Sequence, residues 1–304
     1  MEAHGSIPNY EITRVIGSGA FGYVFEAFDS KRNQKVALKR MQKVGKVSSR
    51  ECDILMLLKQ CPNVVKLIDV FYSRSEDNKM VQNIVLEFMD QNLENIIVDH
   101  RKRKEYFDTK TLKNYLYQML KGLDQIHKQH IAHRDLKPEN VLIQDGTLKL
   151  CDFGSAKEMT GTAVNTPYIV SRFYRAPELL LGVTKYTESI DIWAFGCIMA
   201  ELALLEPFFI GKSEGDQLFQ ILKIMGSFTE EDLKYFQKVV PFDINLFQEF
   251  PEYKGINLNE KFSNLEDKEN FVDLLKKLLK YIPGQRPTAT QALQHQYFKD
   301  IIDQ

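Results

Sequence analysis

The strongest constraint on this chain is a change in hydrophobic period near residue 88. From Tyr10 to about Phe88 the apolar residues come in short alternating runs separated by turn residues, and from about Met89 onward they recur at helical spacing. A period of two marks half-buried strands and a period near 3.6 marks amphipathic helices, so a sheet-rich segment precedes a helix-rich one. Residues 23–28 and 36–41 are β-rich and flank the polar run 29–34, which predicts a hairpin. In its second strand Ala37 and Lys39 fall on one face. A single helical pattern interrupts the strands between residues 47 and 58, with Val47, Ile54, Leu55 and Leu58 on its stripe. Glu51 lies on that same stripe, and a carboxylate there needs a partner.

In the second segment, residues 111–130 place Leu112, Tyr115, Leu116, Met119, Leu123 and Ile126 on one helical face. Residues 140–151 hold two short apolar runs around Gln144, Asp145 and Gly146, a hairpin signature. The apolar run 190–205 is interrupted by Asp191, Gly196 and Glu201. It falls short of the ~20 residues of a membrane span and reads as a buried helix. Residues 230–262, with Pro241 and Pro251, read as an irregular insert before a last amphipathic helix at 271–281. Without repeats or a low-complexity linker, the two segments are expected to form one folding and functional unit.

Composition narrows the partners. Forty basic residues nearly balance 41 acidic ones, so the summed field favours neither nucleic acid nor a membrane surface. The four cysteines, Cys52, Cys61, Cys151 and Cys197, have neither zinc-ligand nor disulfide-framework spacing. No apolar leader precedes the first strand pattern, and a reduced cytoplasmic or nuclear setting is expected.

Three clusters carry chemistry. Gly17, Ser18, Gly19, Ala20, Phe21, Gly22, Tyr23 and Val24 open the first hairpin. A glycine triplet fits a dinucleotide fingerprint as well as a phosphate-covering loop, but strands on both sides favour the second. Backbone amides freed of side-chain bulk can then approach phosphate oxygens. Lys39, on the Ala37 face, and Glu51 make a mutually neutralising pair that would aim an ammonium at phosphates. The third cluster is the ordered series His133-Arg134-Asp135-Leu136-Lys137-Pro138-Glu139-Asn140, then Asp152-Phe153-Gly154, then Ala176-Pro177-Glu178.

That combination resembles the catalytic set of eukaryotic protein kinases over about residues 10–298, nearly the whole chain. The resemblance implies an α+β, bilobal fold: an antiparallel-sheet N-lobe with one helix at about 10–88, a mostly helical C-lobe at about 89–298, and short tails at 1–9 and 299–304. It implies transfer of the γ-phosphoryl group of Mg-ATP to serine or threonine hydroxyls of protein substrates. Asp135 would accept or orient the hydroxyl proton, Lys137 would touch the γ-phosphate, and Asn140 and Asp152 would hold Mg²⁺. Lys39 with Glu51 would position the α- and β-phosphates. Ile16, the glycine-loop residues 17–24, Ala37, the gatekeeper-like Leu86, hinge residues Glu87 and Met89, and Leu142 would enclose ATP. Glu178 and Arg286 resemble the ion pair that ties down the activation segment, and Asp191 with Trp193 fits the helix that anchors the catalytic loop.

Within the kinases, Asp152 to Lys157 and Tyr168 to Glu178 resemble the glycogen synthase kinase-3 (shaggy) family. That likeness implies an activating phosphate on Tyr168, bound by Arg172 and Arg175. It also implies a pocket of Arg50, Arg134 and Lys157 for a substrate phosphate placed beforehand, and a scaffold or regulatory protein on the C-lobe. Thr166-Pro167-Tyr168 also resembles the Thr-x-Tyr motif of mitogen-activated kinases, which leaves a proline-directed mitogen-activated or cyclin-dependent type open, with Thr166 as a second phosphorylation site. Ser155, Ala156 and Lys157 favour the first branch. A pseudokinase scaffold needs a broken catalytic position, and none occurs at Lys39, Glu51, Asp135, Asn140 or Asp152.

Overall fold

The computed structural model describes residues 7, 9–19, 22–42, 49–75, 77–159, 171–240 and 251–302. Two compact units emerge, Met1–Asp90 and Gln91–Gln304. The first contains β1 (Tyr10–Gly19), β2 (Gly22–Asp29), β3 (Gln34–Gln42), α1 (Arg50–Leu57), β4 (Leu67–Arg74) and β5 (Met80–Glu87). Its strands form one antiparallel sheet in the order β1-β2-β3-β5-β4.

Alternation along the strands sorts the residues onto two faces. Phe25 and Ala27 of β2 stand opposite Leu38 and Val36 of β3, and with Tyr10 and Val85 they form the core of this unit. The other face of β3 carries Ala37 opposite Leu86, and Lys39 opposite Val24 and Ile84. The predicted hairpin is present, its turn closed by the buried Asp29, whose carboxylate accepts the backbone N–H groups of Lys31 and Arg32. Helix α1 starts at Arg50 because Ser49 caps it, accepting the Cys52 N–H, and Glu51 and Asp53 in the first turn suit its dipole. Residues 47 and 48 of the expected helix lie outside the described residues.

The second unit is mostly helical. In chain order it holds β6 (Gln91–Asn92), α2 (Leu93–Arg103), α3 (Thr109–Lys128), β7 (Ile131–Ala132), β8 (Val141–Gln144), β9 (Thr147–Leu150), β10 (Lys157–Glu158), α4 (Pro177–Leu180) and α5 (Ser189–Leu204). Then follow α6 (Glu214–Met225), α7 (Glu230–Val239), α8 (Leu258–Lys261), α9 (Lys268–Leu278), α10 (Ala289–Leu293) and α11 (Lys299–Ile302). Asp108 caps α3, and the expected apolar stripe from Leu112 to Ile126 is buried apart from Tyr115. Helix α5 buries everything from Ile190 to Ala203 and runs about 24 Å through this unit. A Cβ at Gly196 would stand 2.9 Å from Leu279 Cδ2 and 3.1 Å from Leu278 Cβ, so glycine lets the end of α9 press against α5. Among the described residues no helix is long and apolar enough to cross a membrane.

Three expectations need correction. Residues 230–239 form a helix, not irregular chain, because Thr229 and Asp232 make a reciprocal capping box at its start; residues 241–250 of the expected insert lie outside the described residues. The helix expected at 271–281 spans Lys268–Leu278, and it is not the last, since α10 and α11 follow it. Helices α2 and α6 had no counterpart in the periodicity reading, because their apolar stripes are short and mixed with charge.

Candidate active site

In the first unit the glycine segment spans the turn from β1 to β2, with Gly17, Ser18 and Gly19 on β1 and Gly22 opening β2. Ala20 and Phe21 lie outside the described residues. The glycines are not equivalent. Gly22 has φ +147°, and a Cβ there would lie 2.0 Å from the Arg40 carbonyl oxygen, so the hairpin itself requires glycine. At Gly17 an added Cβ would meet Val24 Cβ at 3.6 Å, an ordinary contact, so the protein's own packing does not demand glycine there. Ile16 and Tyr23 are exposed.

Lys39 and Glu51 meet as predicted: Lys39 Nζ donates to both carboxylate oxygens of Glu51, at 2.8 and 2.9 Å. Glu51 is buried and the Lys39 side chain nearly so, which strengthens the pair and fixes the ammonium on the Ala37–Leu86 face. Leu86 and Met89 are buried. Glu87 is bound to Lys66 through its backbone N–H at 3.0 Å and its carboxylate at 2.6 Å.

In the second unit Asp135, Lys137 and Asn140 converge. Asp135 Oδ1 accepts the Ser171 backbone N–H at 3.1 Å and its hydroxyl at 3.2 Å. Lys137 Nζ lies 3.2 Å from Asp135 Oδ2 and donates to the same Ser171 hydroxyl at 3.2 Å. Asn140 Nδ2 donates to the Asp135 carbonyl at 2.8 Å and to Oδ2 at 3.2 Å, which commits its amide nitrogen. The Asn140 backbone carbonyl accepts the Cys151 N–H at 2.9 Å, which brings the residue before Asp152 alongside. Asp152 is exposed and left-handed, φ 59°, a conformation that costs a non-glycine residue. A carboxylate and an amide oxygen are hard ligands of the kind a small divalent cation takes together with water. Leu142 lies on β8, opposite Asn92 and Lys149.

The loop is held from beneath by α5. Asp191 Oδ2 accepts the His133 N–H at 2.8 Å and Oδ1 the Arg134 N–H at 2.9 Å, while His127 Nε2 sits 3.0 Å from Oδ2. Burial would raise the Asp191 carboxyl, but the hydrogen bond and charge of His127 with the backbone donors hold it below its ordinary range. Arg134, at φ 66°, is a second left-handed residue whose backbone those bonds hold in place. His133 is fully buried, its Nε2 2.9 Å from the Cys151 carbonyl and its ring against Phe153 at 4.9 Å. The Glu178–Arg286 pair is bidentate, both distances 2.7 Å, and buried, with the guanidinium 5.1 Å over the Trp193 ring.

Of the predicted phosphate-binding residues, two lie near one another in the second unit. Lys157 on β10 pairs with Ala132 on β7, two residues before Arg134. Arg50 is the exposed first residue of α1, in the other unit. Thr166 and Tyr168 lie outside the described residues. Their expected partners are otherwise engaged: Arg172 donates to the Lys212 carbonyl at 2.8 Å and Arg175 to Glu214 at 2.5 Å.

Two residues at this centre have roles that the sequence did not assign: Ser171, within the Tyr168 to Glu178 run, on the Asp135 carboxylate, and His127, on Asp191. Both reach their partners over long sequence separations, so local pattern could not reveal them. A third, Tyr174, donates to Glu201 at 2.8 Å inside the unit.

A family model described as the protein kinase domain matches residues 10–298. Among characterised proteins, the chain is 39% identical over 298 residues to the protein kinase gsk3 of Schizosaccharomyces pombe, covering 97% of this chain and 75% of that one. It is 37% identical over 297 residues to the probable serine/threonine-protein kinase glkA of Dictyostelium discoideum, covering 96% of this chain and 59% of that one. Over 295 residues it is 37% identical to glycogen synthase kinase 1 of Pyricularia oryzae, covering 96% of this chain and 73% of that one.

Proposed function

For a chain that belongs to the protein kinase family, in its glycogen synthase kinase-3-like serine/threonine branch, we propose that Asp135, Lys137, Asn140 and Asp152 carry phosphoryl transfer from ATP to protein hydroxyls. The enzyme is a protein serine/threonine kinase that uses ATP and a divalent metal on protein substrates. The observation that carries the residue assignment is the Ser171 hydroxyl, 3.2 Å from both Asp135 Oδ1 and Lys137 Nζ. It marks a place where an acceptor hydroxyl meets a carboxylate able to take its proton and an ammonium able to neutralise phosphate.

Each residue then has a physical task. Asp135 orients the acceptor oxygen and receives its proton as the new O–P bond forms and the bond from the γ-phosphorus to the bridging oxygen breaks, ADP leaving. Lys137 offsets charge on the transferring group. Asn140 holds Asp135 through two hydrogen bonds and, with Asp152, offers the oxygens for the metal, which we take to be Mg²⁺ on their hardness and small number. When bound, that ion neutralises phosphate charge. Lys39, fixed by Glu51, positions the α- and β-phosphates. Ile16, residues 17–24, Ala37, Leu86, Glu87, Met89 and Leu142 enclose the nucleotide in this reading.

The preference for substrates already bearing a phosphate, read by Arg50, Arg134 and Lys157, belongs to the same proposal, supported by the adjacent β7–β10 strands for the latter two. Phosphorylation of Tyr168, with Thr166 as the rival site, is proposed on motif grounds. A scaffold on the helical unit is supported by exposed Ile210 beside a groove lined by Leu204, Pro207, Phe208 and Ile224. The four free thiols suit a cytoplasmic or nuclear setting. Asp135→Asn tests the core assignment: phosphate incorporation into a generic acceptor should fall by about 10³-fold or more. Equal incorporation by parent and variant refutes it. Matched peptides with and without a phosphate four residues C-terminal to the acceptor test the priming claim, which equal kcat/KM would defeat.

A further inference from the structure

The last turn of α2 carries His100, Arg101, Lys102 and Arg103, and Lys104 follows as its C-cap. Asp99 and Glu105 are the exposed carboxylates beside them, and Arg101 also feels Glu94 and Glu201, so of the four fixed positive charges Lys102, Arg103 and Lys104 stand beside Asp99 and Glu105, on a chain whose net charge is −1. Cations here complement the helix dipole, but that effect fades within a turn and does not need four. All four are exposed. Lys102–Asp99 and Arg103–Glu105 are each 3.9 Å apart, the outer edge of ion pairing, with the two cationic side chains 73% and 59% exposed.

The backbone that presents them is fixed. Lys104 is left-handed, its N–H donating to the Arg101 carbonyl, and the Glu105 N–H donates to the His100 carbonyl. The His100 ring stacks on buried Phe107 at 4.0 Å, and Arg101 Nε donates to the Leu205 carbonyl. The opposite end of α2 packs on the 3-10 turn Pro138–Asn140 that follows Asp135 and Lys137. There the charge is negative: Glu94 lies in the first turn of α2, close enough to exposed Glu139 that the two repel. Charge therefore changes sign along α2, from acidic at the catalytic loop to basic about 10–15 Å away.

We propose that the basic end of α2 docks an aspartate- and glutamate-rich segment of the protein substrate, set apart from the acceptor by a stretch free of aspartate and glutamate. This rests on the kinase reading above and names a substrate class for it. An extended peptide advances about 3.3 Å per residue, so the acidic tract begins roughly three to five residues from the acceptor. A continuous anionic surface, lipid or nucleic acid, would also bring negative charge onto Asp99, Glu105 and Glu139, whereas a short peptide tract can avoid them. The cations are arranged as a folded helix end, which suits this use better than an extended basic signal.

The test compares Lys102→Glu/Arg103→Glu with the parent on three peptides of identical acceptor sequence and identical phosphorylation: no tract, an acidic tract on the N-terminal side, and one on the C-terminal side. The parent should favour one tract peptide by about tenfold in kcat/KM, mainly through KM. That ratio should fall to about one in the variant, and in the parent at about 0.5 M salt. Both proteins should turn over the tract-free peptide equally. If the parent fails on that peptide, the kinase reading falls; if it succeeds without preferring a tract, the docking proposal falls alone. Co-sedimentation with anionic vesicles or binding of polyuridylate, lost in the variant while the peptide ratio is unchanged, would assign the patch to lipid or RNA and overturn the proposal. Lys104→Asn, which keeps the left-handed cap, repeats the comparison with a smaller loss and guards against misfolding of the double variant.

Discussion

His127→Leu should destabilise the protein by an amount the geometry sets. His127 Nε2 lies 3.0 Å from Asp191 Oδ2, and the two side chains are 14% and 2% exposed. A hydrogen bond to a buried charge contributes about 1.5–3 kcal/mol. Leucine roughly fills the imidazole volume, so no large cavity term adds to it. Asp191 keeps the His133 and Arg134 N–H donors, which limits the loss to one bond of three. At about 2 kcal/mol the melting temperature of a chain this long should drop by about 3 °C. His127→Gln, which retains a donor, should recover part of that. The pH profile adds a sign. Because Asp191 titrates below its ordinary 3.8 in the folded protein, its contribution is present above that value and lost as pH falls through the lower folded one. The gap between parent and His127→Leu should close in strong acid, as Asp191 takes up its proton. Thermal melts of parent, Leu and Gln proteins decide the matter: a leucine variant melting within about 1 °C of parent at pH 7 refutes the anchor.

Gly22→Ala and Gly17→Ala should behave oppositely: the first should cost about 3 kcal/mol or more because its Cβ strikes the Arg40 carbonyl, and the second should melt like the parent, so an activity loss in it reports the nucleotide. Equal melting temperatures for the two variants would contradict this. Lys39→Met takes a bidentate partner from buried Glu51 and should lower both stability and turnover, whereas Lys39→Met/Glu51→Leu should regain stability without regaining turnover; recovery of activity in the double variant would sink the positioning role. Glu201, with its carboxyl pushed up to about 8 chiefly by burial, keeps a proton on folding that the unfolded chain has released above its ordinary 4.5. Stability should therefore fall as pH rises between those values, and Glu201→Gln should flatten the fall, a point settled by denaturant unfolding at pH 5.5 and 8.

The linear motifs were legible because each brings its chemistry within a few residues. Asp135, Lys137 and Asn140 sit on one loop, and Lys39 and Glu51 were paired by the logic that a carboxylate on an apolar stripe needs a cation, which the 2.8 Å contact bears out. Ser171 and His127 were not legible. Ser171 lies 36 residues from Asp135 and His127 lies 64 from Asp191, and no local periodicity distinguishes them from any other serine or histidine. Helix α7 is a different case, since Thr229 followed by Asp232 is a capping signal that Pro241 and Pro251 overshadowed.

The polar interruptions of α5 mark where the buried helix does its positioning. In the sequence Asp191 and Glu201 only shorten an apolar run, yet a buried carboxylate persists only where donors or a proton satisfy it. The two residues, about 15 Å apart along the helix, meet that need in different ways. Asp191 stays charged and holds the His133 and Arg134 backbone, which fixes the start of the loop bearing Asp135. Glu201 gains a raised affinity for protons and accepts from Tyr174, three residues beyond the Ser171 that rests on Asp135. Both ends of the Asp135–Ser171 contact are thus tied to one rigid helix by carboxylates. Those two breaks in hydrophobicity held as much information about the centre as the motifs themselves.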